Sequence, residues 1–493
     1  MVALEKGATV QRQDSPAQDF EEEDVVNAPQ SNKTGFRSAA SVSASWLADL
    51  AYDDIPEAVI ADAKLRFLDI IGVSLAASAA PAGEIARRTA LRLGAGEEAG
   101  ILGFGDRVPA ASAALANGTM AHALDFDDTH NESVIHVSAP VVSAALAVGQ
   151  LMKSSGKAVL TSAIGGAEIT CRIGCVTPSA FHKRGFHPTG VIGTFGCALI
   201  SGKLMGLGSL QLQNALGIAG SQASGILEFF SDGSFAKQLH PGWAAHSGII
   251  ASYLASEGFT GPATVLEGRY GLFATHLGPG NYSMDRIVQK LGIDWICVRT
   301  SFKPYPCGHV VHPFLDAILS LHKDEGLRAE DVERITCPTA EWMLPIMCEP
   351  REVKLVPATD YHAKFSFPYT MAAALYFGRL GVEAFTADAI RNQEILALAR
   401  RVFNEVDPQA PDPSRFKGCV IVETKSGKTL ERVVENNWGS ESNPLSASDV
   451  RQKFRDNACL VLDAGKIDQL VSMVDRLEDV RDINGLVALC VRS

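Results

Sequence analysis

The chain has 493 residues, 46% of them hydrophobic, and a formal net charge of −12. That length exceeds what one compact core usually holds, so two domains are expected, and the acidic balance excludes nucleic acid or an anionic membrane as the partner of the chain as a whole. Any anionic ligand must meet cations placed locally.

Residues 1–38 read as a polar tail, acidic in the middle and without a sustained apolar period. It has neither the apolar core of a signal peptide nor the Arg-rich, acid-poor character of a transit peptide, so the cytoplasm is the expected location. Ordered helix is expected from Ser41–Leu50 and again over Ile55–Ala77, with Pro56 in the first turn. From there to about residue 297 nearly everything reads as helix, in runs such as SAPVVSAALAVGQLM and VIGTFGCALISGKLMGL that mix Ala, Gly and Ser with Leu, Ile and Val. Small residues let helix backbones approach closely, so residues 39–297 are expected to form a tight helical domain. Val137–Met152, the longest apolar candidate, is interrupted by Pro140, Ser143, Gly149 and Gln150 and is too short to span a bilayer.

Gly103 and Gly105 in GFGDRV lack a third glycine and a βαβ setting, and read as a turn. Ten cysteines without a CxxC pair fit a reducing compartment, and Cys171 and Cys175, spaced i, i+4 with no second pair, are expected to be buried packing residues. Near Cys297 the character changes. VERITCPTAEW is strand-like, Cys419–Thr424 and Thr429–Val434 flank a Lys-Ser-Gly-Lys turn, and helices are expected over Tyr369–Phe377 and Ala387–Val402. Residues 298–440 therefore read as a smaller α+β unit. Residues 441–493 return to helix, starting at Asn443-Pro444-Leu445-Ser446 and continuing through the amphipathic Ala464–Leu477.

The chemistry is concentrated in Leu124–Pro140, LDFDDTHNESVIHVSAP, and in four polar islands within apolar text: HKRGFHPT, KQLHPGWAAH, KPYPCGHVVH and HAKFS. Lysine is rarely buried without a partner, so convergence of these islands would make a strongly cationic pocket suited to a small polyanion. Each residue also has a plain structural reading, Asp125 as a cap or turn former and the histidines as hydrogen-bonding core residues. A metal site is not expected, because the His and carboxylate spacing matches no standard site and lysine is not a usual ligand.

NGTMAHALDFDDTH, the following His-x-Ser-Ala-Pro, RGFHPTGVIGTFGCALISGKLMGL, KQLHPGWAAHSGIIASYLA, EGRYGLF, FKPYPCGHVVH and AKFSFPYTMA occur in an order that resembles the MmgE/PrpD family from about Ser41 to the C-terminus. That family includes 2-methylcitrate and alkylcitrate dehydratases, cis-aconitate decarboxylases and iminodisuccinate epimerases. The resemblance implies a mainly α fold, a large helical domain built from both ends of the chain with an inserted α+β lid, a homodimer, and no metal or organic cofactor. By position it implies Asp125, His136, His187 and Lys237 as catalytic residues and Thr129, Lys303, Lys364 and Ser366 as substrate-binding residues. Two departures stand out: His136 lies one residue further from Thr129 than in the decarboxylases, and Lys364 and Ser366 replace a histidine-containing motif of typical dehydratases.

Proton removal next to a carboxylate creates extra negative charge, which Lys237 and Lys303 are placed to stabilise. His136 or His187 is the expected base, and the other histidine or an Asp125-linked acid the expected proton donor. The activity expected from the resemblance is dehydration of a 2-alkylcitrate, with decarboxylation of a cis-aconitate-type acid and epimerisation of iminodisuccinate as alternatives. A catalytically silent protein that binds a tricarboxylate or acts in assembly is the non-enzymatic alternative.

Overall fold

The computed structural model describes residues 37–410 and 416–493. Of the tail expected over residues 1–38, only Arg37 and Ser38 fall within that range, and the rest lies outside the described residues. Ser38 caps the first helix, its hydroxyl accepting from the Ser41 amide.

Seven helices form most of the main core: α1 (Ala39–Asp49), α2 (Glu57–Ser78), α3 (Ala110–Ala123), α4 (Ser138–Leu151), α5 (Gly156–Gly174), α6 (Pro188–Leu204) and α7 (Ala236–Ser256). Their small residues explain the packing. Helices α3, α4 and α6 are buried around nearly their whole circumference, as a helix without a polar face must be. Where α7 crosses α3, a Cβ on Gly118 would lie 2.6 Å from the Gly242 Cα, so the two glycines set the interaxial distance. Among the described residues, no helix is long and apolar enough to cross a membrane.

A second core lies between Tyr305 and Leu430. It contains α8 (His312–Asp324), α9 (Phe367–Phe377) and a four-stranded sheet of β1 (Val332–Thr339), β2 (Val402–Val406), β3 (Gly418–Thr424) and β4 (Thr429–Val434) in the order β2-β1-β3-β4. Strands β3 and β4 form the hairpin read from the sequence, closed through Gly427 at φ +84°. The expected helix over Ala387–Val402 is much shorter. Its α-helical part is Gln393–Ala399, capped by the Asn392 side chain, and Val402 already begins β2, paired in parallel with Ile335. Val402 and Phe403 suit a pleated, half-buried edge better than another helical turn.

The end of the chain goes back to the main core. Helix α10 (Ala447–Ala458) packs on α2, with Phe454 seated against Gly72, and α11 (Ala464–Asp475) follows it. The main hydrophobic cluster accordingly joins residues 39–296 with residues 454–490, while Ser38–Ser493 holds together as one compact unit. The two cores are also stitched by backbone: Thr129–His130 pairs antiparallel with Thr300–Ser301. This pairing brings the acidic stretch beside the segment that carries Lys303.

Candidate active site

Helix α3 ends at the acidic stretch, and the chain turns there through Asp125, a non-glycine residue at φ +51° whose amide donates to the His122 carbonyl at 3.1 Å. The turn puts the Asp125 carboxylate between two lysines. Lys237, from the first turn of α7, lies 2.5 Å from Oδ1. Lys303 lies 3.2 Å from Oδ2 and donates to the Asp125 carbonyl at 3.1 Å. Burial by itself would raise the Asp125 pKa, but the two ammonium groups outweigh it and hold the carboxyl well below its ordinary value. Burial lowers the pKa of Lys237, opposed by Asp125. Asp125 therefore cancels one of the two positive charges, and the pocket is less cationic than its lysines alone suggest.

Three histidines stand beside this group. His136 donates from Nδ1 to the Asp128 carbonyl at 2.9 Å, and its backbone amide donates to Thr189 Oγ1. That bond fixes the proton on Nδ1 and leaves the Nε2 lone pair free. Thr129 Oγ1 lies 3.3 Å from the same Nδ1. His187 is the N-cap residue of α6, and its Nδ1 lies 2.8 Å from Nδ1 of His240. His122, in the last turn of α3, pairs through Nδ1 with Asp127 at 2.8 Å, and its ring centroid is 4.5 Å from that of His136 and 5.7 Å from that of His187. Burial holds all three below the ordinary histidine range, His136 and His187 well below it, so the resting site contains neutral imidazoles.

The remaining residues of the stretch act as scaffold. Asp128 is buried, ion-paired with Arg66 at 3.2 Å, and accepts from both the amide and the hydroxyl of Ser138. His130 pairs with Ser133 Oγ at 2.8 Å, and its backbone bonds with Ile135 close the loop between Thr129 and His136. Glu132 faces solvent and pairs with Arg286.

Asp125, Thr129, His136, His187, Lys237 and Lys303 line one cavity of about 300 Å³, with walls from both cores. The other two expected site residues do not line it. Ser366 caps α9, accepting from the Tyr369 amide and donating to the Lys354 carbonyl. Lys364 is buried behind the wall, donating to the Pro306 carbonyl at 3.2 Å over the Phe385 ring, and burial pulls its pKa down to about 8. Sequence reading assigned no role to His122, whose MAHAL setting looks like ordinary core helix. His240 also went unassigned, although its i+3 spacing from Lys237 puts both on one face of α7. His309 lines the cavity from the other side, with Nε2 3.2 Å from the Asn437 amide nitrogen.

Ring nitrogens of His122, His136 and His187 come within 4.8 Å of one another, as do donor atoms of His122, Asp125 and Asp127. This donor set suits an anion better than a metal ion. Asp125 is shared by two ammonium groups, Lys237 and Lys303, that would repel a cation and attract an anion.

Residues 43–285 match the MmgE/PrpD N-terminal domain and residues 305–479 the MmgE/PrpD C-terminal domain. The chain belongs to the MmgE/PrpD family. This MmgE/PrpD chain is 26% identical over 468 residues to a cis-aconitate decarboxylase-like protein of Aspergillus oryzae, covering 90% of this chain and 95% of the relative. It is 27% identical over 473 residues to a cis-aconitate decarboxylase of Aspergillus terreus, covering 90% and 94%. With the cis-aconitate decarboxylase of Homo sapiens the identity is 29% over 468 residues, covering 92% and 95%.

Neutral histidines beside a pocket of small net charge have a measurable consequence. A polycarboxylate entering the site favours the charged form of His136 and His187, raising pKa values that burial has lowered. Binding of a tricarboxylate near neutral pH is therefore expected to take up protons. Calorimetry in buffers of different ionisation enthalpy reads this directly, and binding without proton uptake would show that the imidazoles stay neutral in the complex.

Proposed function

We propose that this MmgE/PrpD lyase is a carboxy-lyase acting on a cis-aconitate-type acid. The observation that carries the reading is the clamp of Asp125 between Lys237 and Lys303, facing two neutral histidines in the cavity between the two cores. Relatives named as cis-aconitate decarboxylases, aligned over nearly the whole chain, support decarboxylation over the alkylcitrate dehydration expected from the family at large.

The ammonium groups would hold the substrate carboxylates. When the C–C bond to one carboxylate breaks, its electron pair forms a new terminal double bond. The pair of the old double bond moves onto the remaining conjugated carboxylate, giving a dienediolate. Lys237 and Lys303 stabilise that charge in a water-poor site, where preorganised cations are most effective. A histidine then protonates carbon, and the balance is tricarboxylate plus one proton to dicarboxylate plus CO2. In this reading Asp125 keeps both lysines in place and the second core acts as the lid that excludes water.

One observation favours an alkylated acid as the substrate. Phe229, Phe230, Trp342, Ile346, Met347 and Phe365 make much of the cavity wall, more apolar surface than an unsubstituted tricarboxylate uses. For assembly we propose a homodimer, supported by the partly exposed Phe235, Leu239, Trp243 and Leu254 on and next to α7. Sedimentation showing only monomer at micromolar concentration would refute the dimer.

The activity is tested with purified protein and cis-aconitate, an alkylated cis-aconitate, methylcitrate and iminodisuccinate, following CO2, unsaturated-acid absorbance and stereochemistry. CO2 released in step with loss of a cis-aconitate-type acid is the expected result. Dehydration of methylcitrate with no CO2 from any substrate would overturn the proposal.

A further inference from the structure

We propose that His187 and His240 form a proton-holding pair, with His187 as the acid that faces substrate and His240 as the positioning residue behind it that supplies the next proton. The proposal rests on the carboxy-lyase reading, which consumes one proton in every turnover. His187 lines the cavity, whereas His240 does not. Their Nδ1 atoms are 2.8 Å apart, a separation at which one nitrogen must carry a proton and the other accept it. With Nδ1 engaged, Nε2 is the atom His187 has left for the substrate.

The pair is held rigidly. The His187 amide donates to the Gly225 carbonyl at 3.0 Å, and the backbones of Gly190 and Gly225 press against His240 so closely that an added Cβ would lie 3.2 Å and 3.4 Å from its side chain. The titratable groups facing the pair are His122 and His136, with ring centroids 5.7 Å and 5.8 Å from His187, together with His182 and, on the same helix as His240, Lys237. Burial disfavours an added proton on the pair and the Lys237 ammonium repels it, so the pair charges when substrate carboxylates arrive. His136 is built differently. Its Nδ1–H points at a backbone carbonyl, which has no proton to pass on.

The step balances as follows. In the loaded state His240 carries protons on both nitrogens and His187 on Nε2. As the dienediolate carbon takes the Nε2 proton and its electron pair becomes the C–H bond, the Nδ1–H bond of His240 breaks and an Nδ1–H bond forms on His187. Both rings finish neutral, and solvent returns one proton to the pair as the next substrate binds.

The test uses full-length His240→Asn, whose side-chain carbonyl still accepts from His187 Nδ1 but relays no proton, and His240→Ala. A fall in kcat of about tenfold or more, with KM changed by less than about twofold, is expected for both, along with a larger solvent deuterium isotope effect on kcat. Added imidazole is expected to restore the rate of His240→Ala. Wild-type kcat in His240→Asn, or a slow, folded His240→Ala that imidazole does not rescue, would overturn the proposal. Proton NMR gives a readout that does not need turnover: a downfield imidazole N–H resonance lost in both His187→Asn and His240→Ala. Its absence from the wild type refutes the pair, whereas its presence in a protein that releases no CO2 refutes the carboxy-lyase reading instead.

Discussion

Replacing Lys237 with methionine is expected to lower kcat by about 10²–10³-fold, the scale on which enzymes lose rate when one preorganised donor to a developing anion is removed. Methionine is one atom shorter but keeps an unbranched apolar chain against the Phe365 ring, which lies 4.9 Å from the ammonium in the native protein, and it deletes the charge and its N–H donors. Two effects are combined in that single change, because Asp125 also loses its 2.5 Å partner and is left with Lys303 alone. The double variant Lys237→Met/Asp125→Asn separates them. Neutralising both partners relieves the buried carboxylate, so the melting temperature should recover toward the wild type while turnover stays low. If turnover recovers as well, Lys237 serves only to balance Asp125, and its role at the substrate is refuted.

The second large effect is expected far from the cavity in sequence. Lys453, on α10, is buried, lies 2.7 Å from Asp69 on α2, and donates to the Phe126 carbonyl at 2.7 Å with its ammonium 4.0 Å over the Phe126 ring. Lys453→Met leaves the Asp69 carboxylate buried without its cation, which costs about 3–5 kcal/mol. The pH dependence gives a signature. Burial has already raised the Asp69 pKa to about 6 against the pull of Lys453, and removing that pull raises it further. Below that value the variant's Asp69 is protonated and no longer an unpaired charge, so the loss should be clearly smaller at pH 5 than at pH 8. Chemical denaturation at both pH values measures it. An equal loss at the two values would show that Lys453 stabilises through packing and the Phe126 carbonyl only. Activity should fall too, since Phe126 follows the strained Asp125 turn.

Much of this site was legible because burying lysine is costly. Lys237 and Lys303 stood out as cations in apolar text, and the structure sets both on one carboxylate. The helices were legible for a related reason: runs of Ala, Gly and Ser with Leu and Val have few alternatives to close helix packing. What escaped had no contrast with its surroundings. His122 sits in a helix of alanines, where its pairing with Asp127 depends on the turn that follows α3. Strand β2 follows a Leu- and Ala-rich helix without a break, and only its parallel pairing with β1 makes it a strand. Ser366 was given to the substrate by its position in the family resemblance, yet Ser366-Phe367-Pro368 is the signature of a capped helix start, and that is its role in the structure.

The hold of Lys453 on the Phe126 carbonyl bears on how the enzyme is made. Asp125, Thr129, His136, His187, Lys237 and Lys303 all precede residue 304, and the sheet is complete by Val434, but the helix carrying Lys453 follows both in the chain. A growing chain would thus hold these six side chains while the acidic turn still lacked its anchor, and a premature stop before Ala447 would leave a polypeptide with the right side chains and no working catalyst.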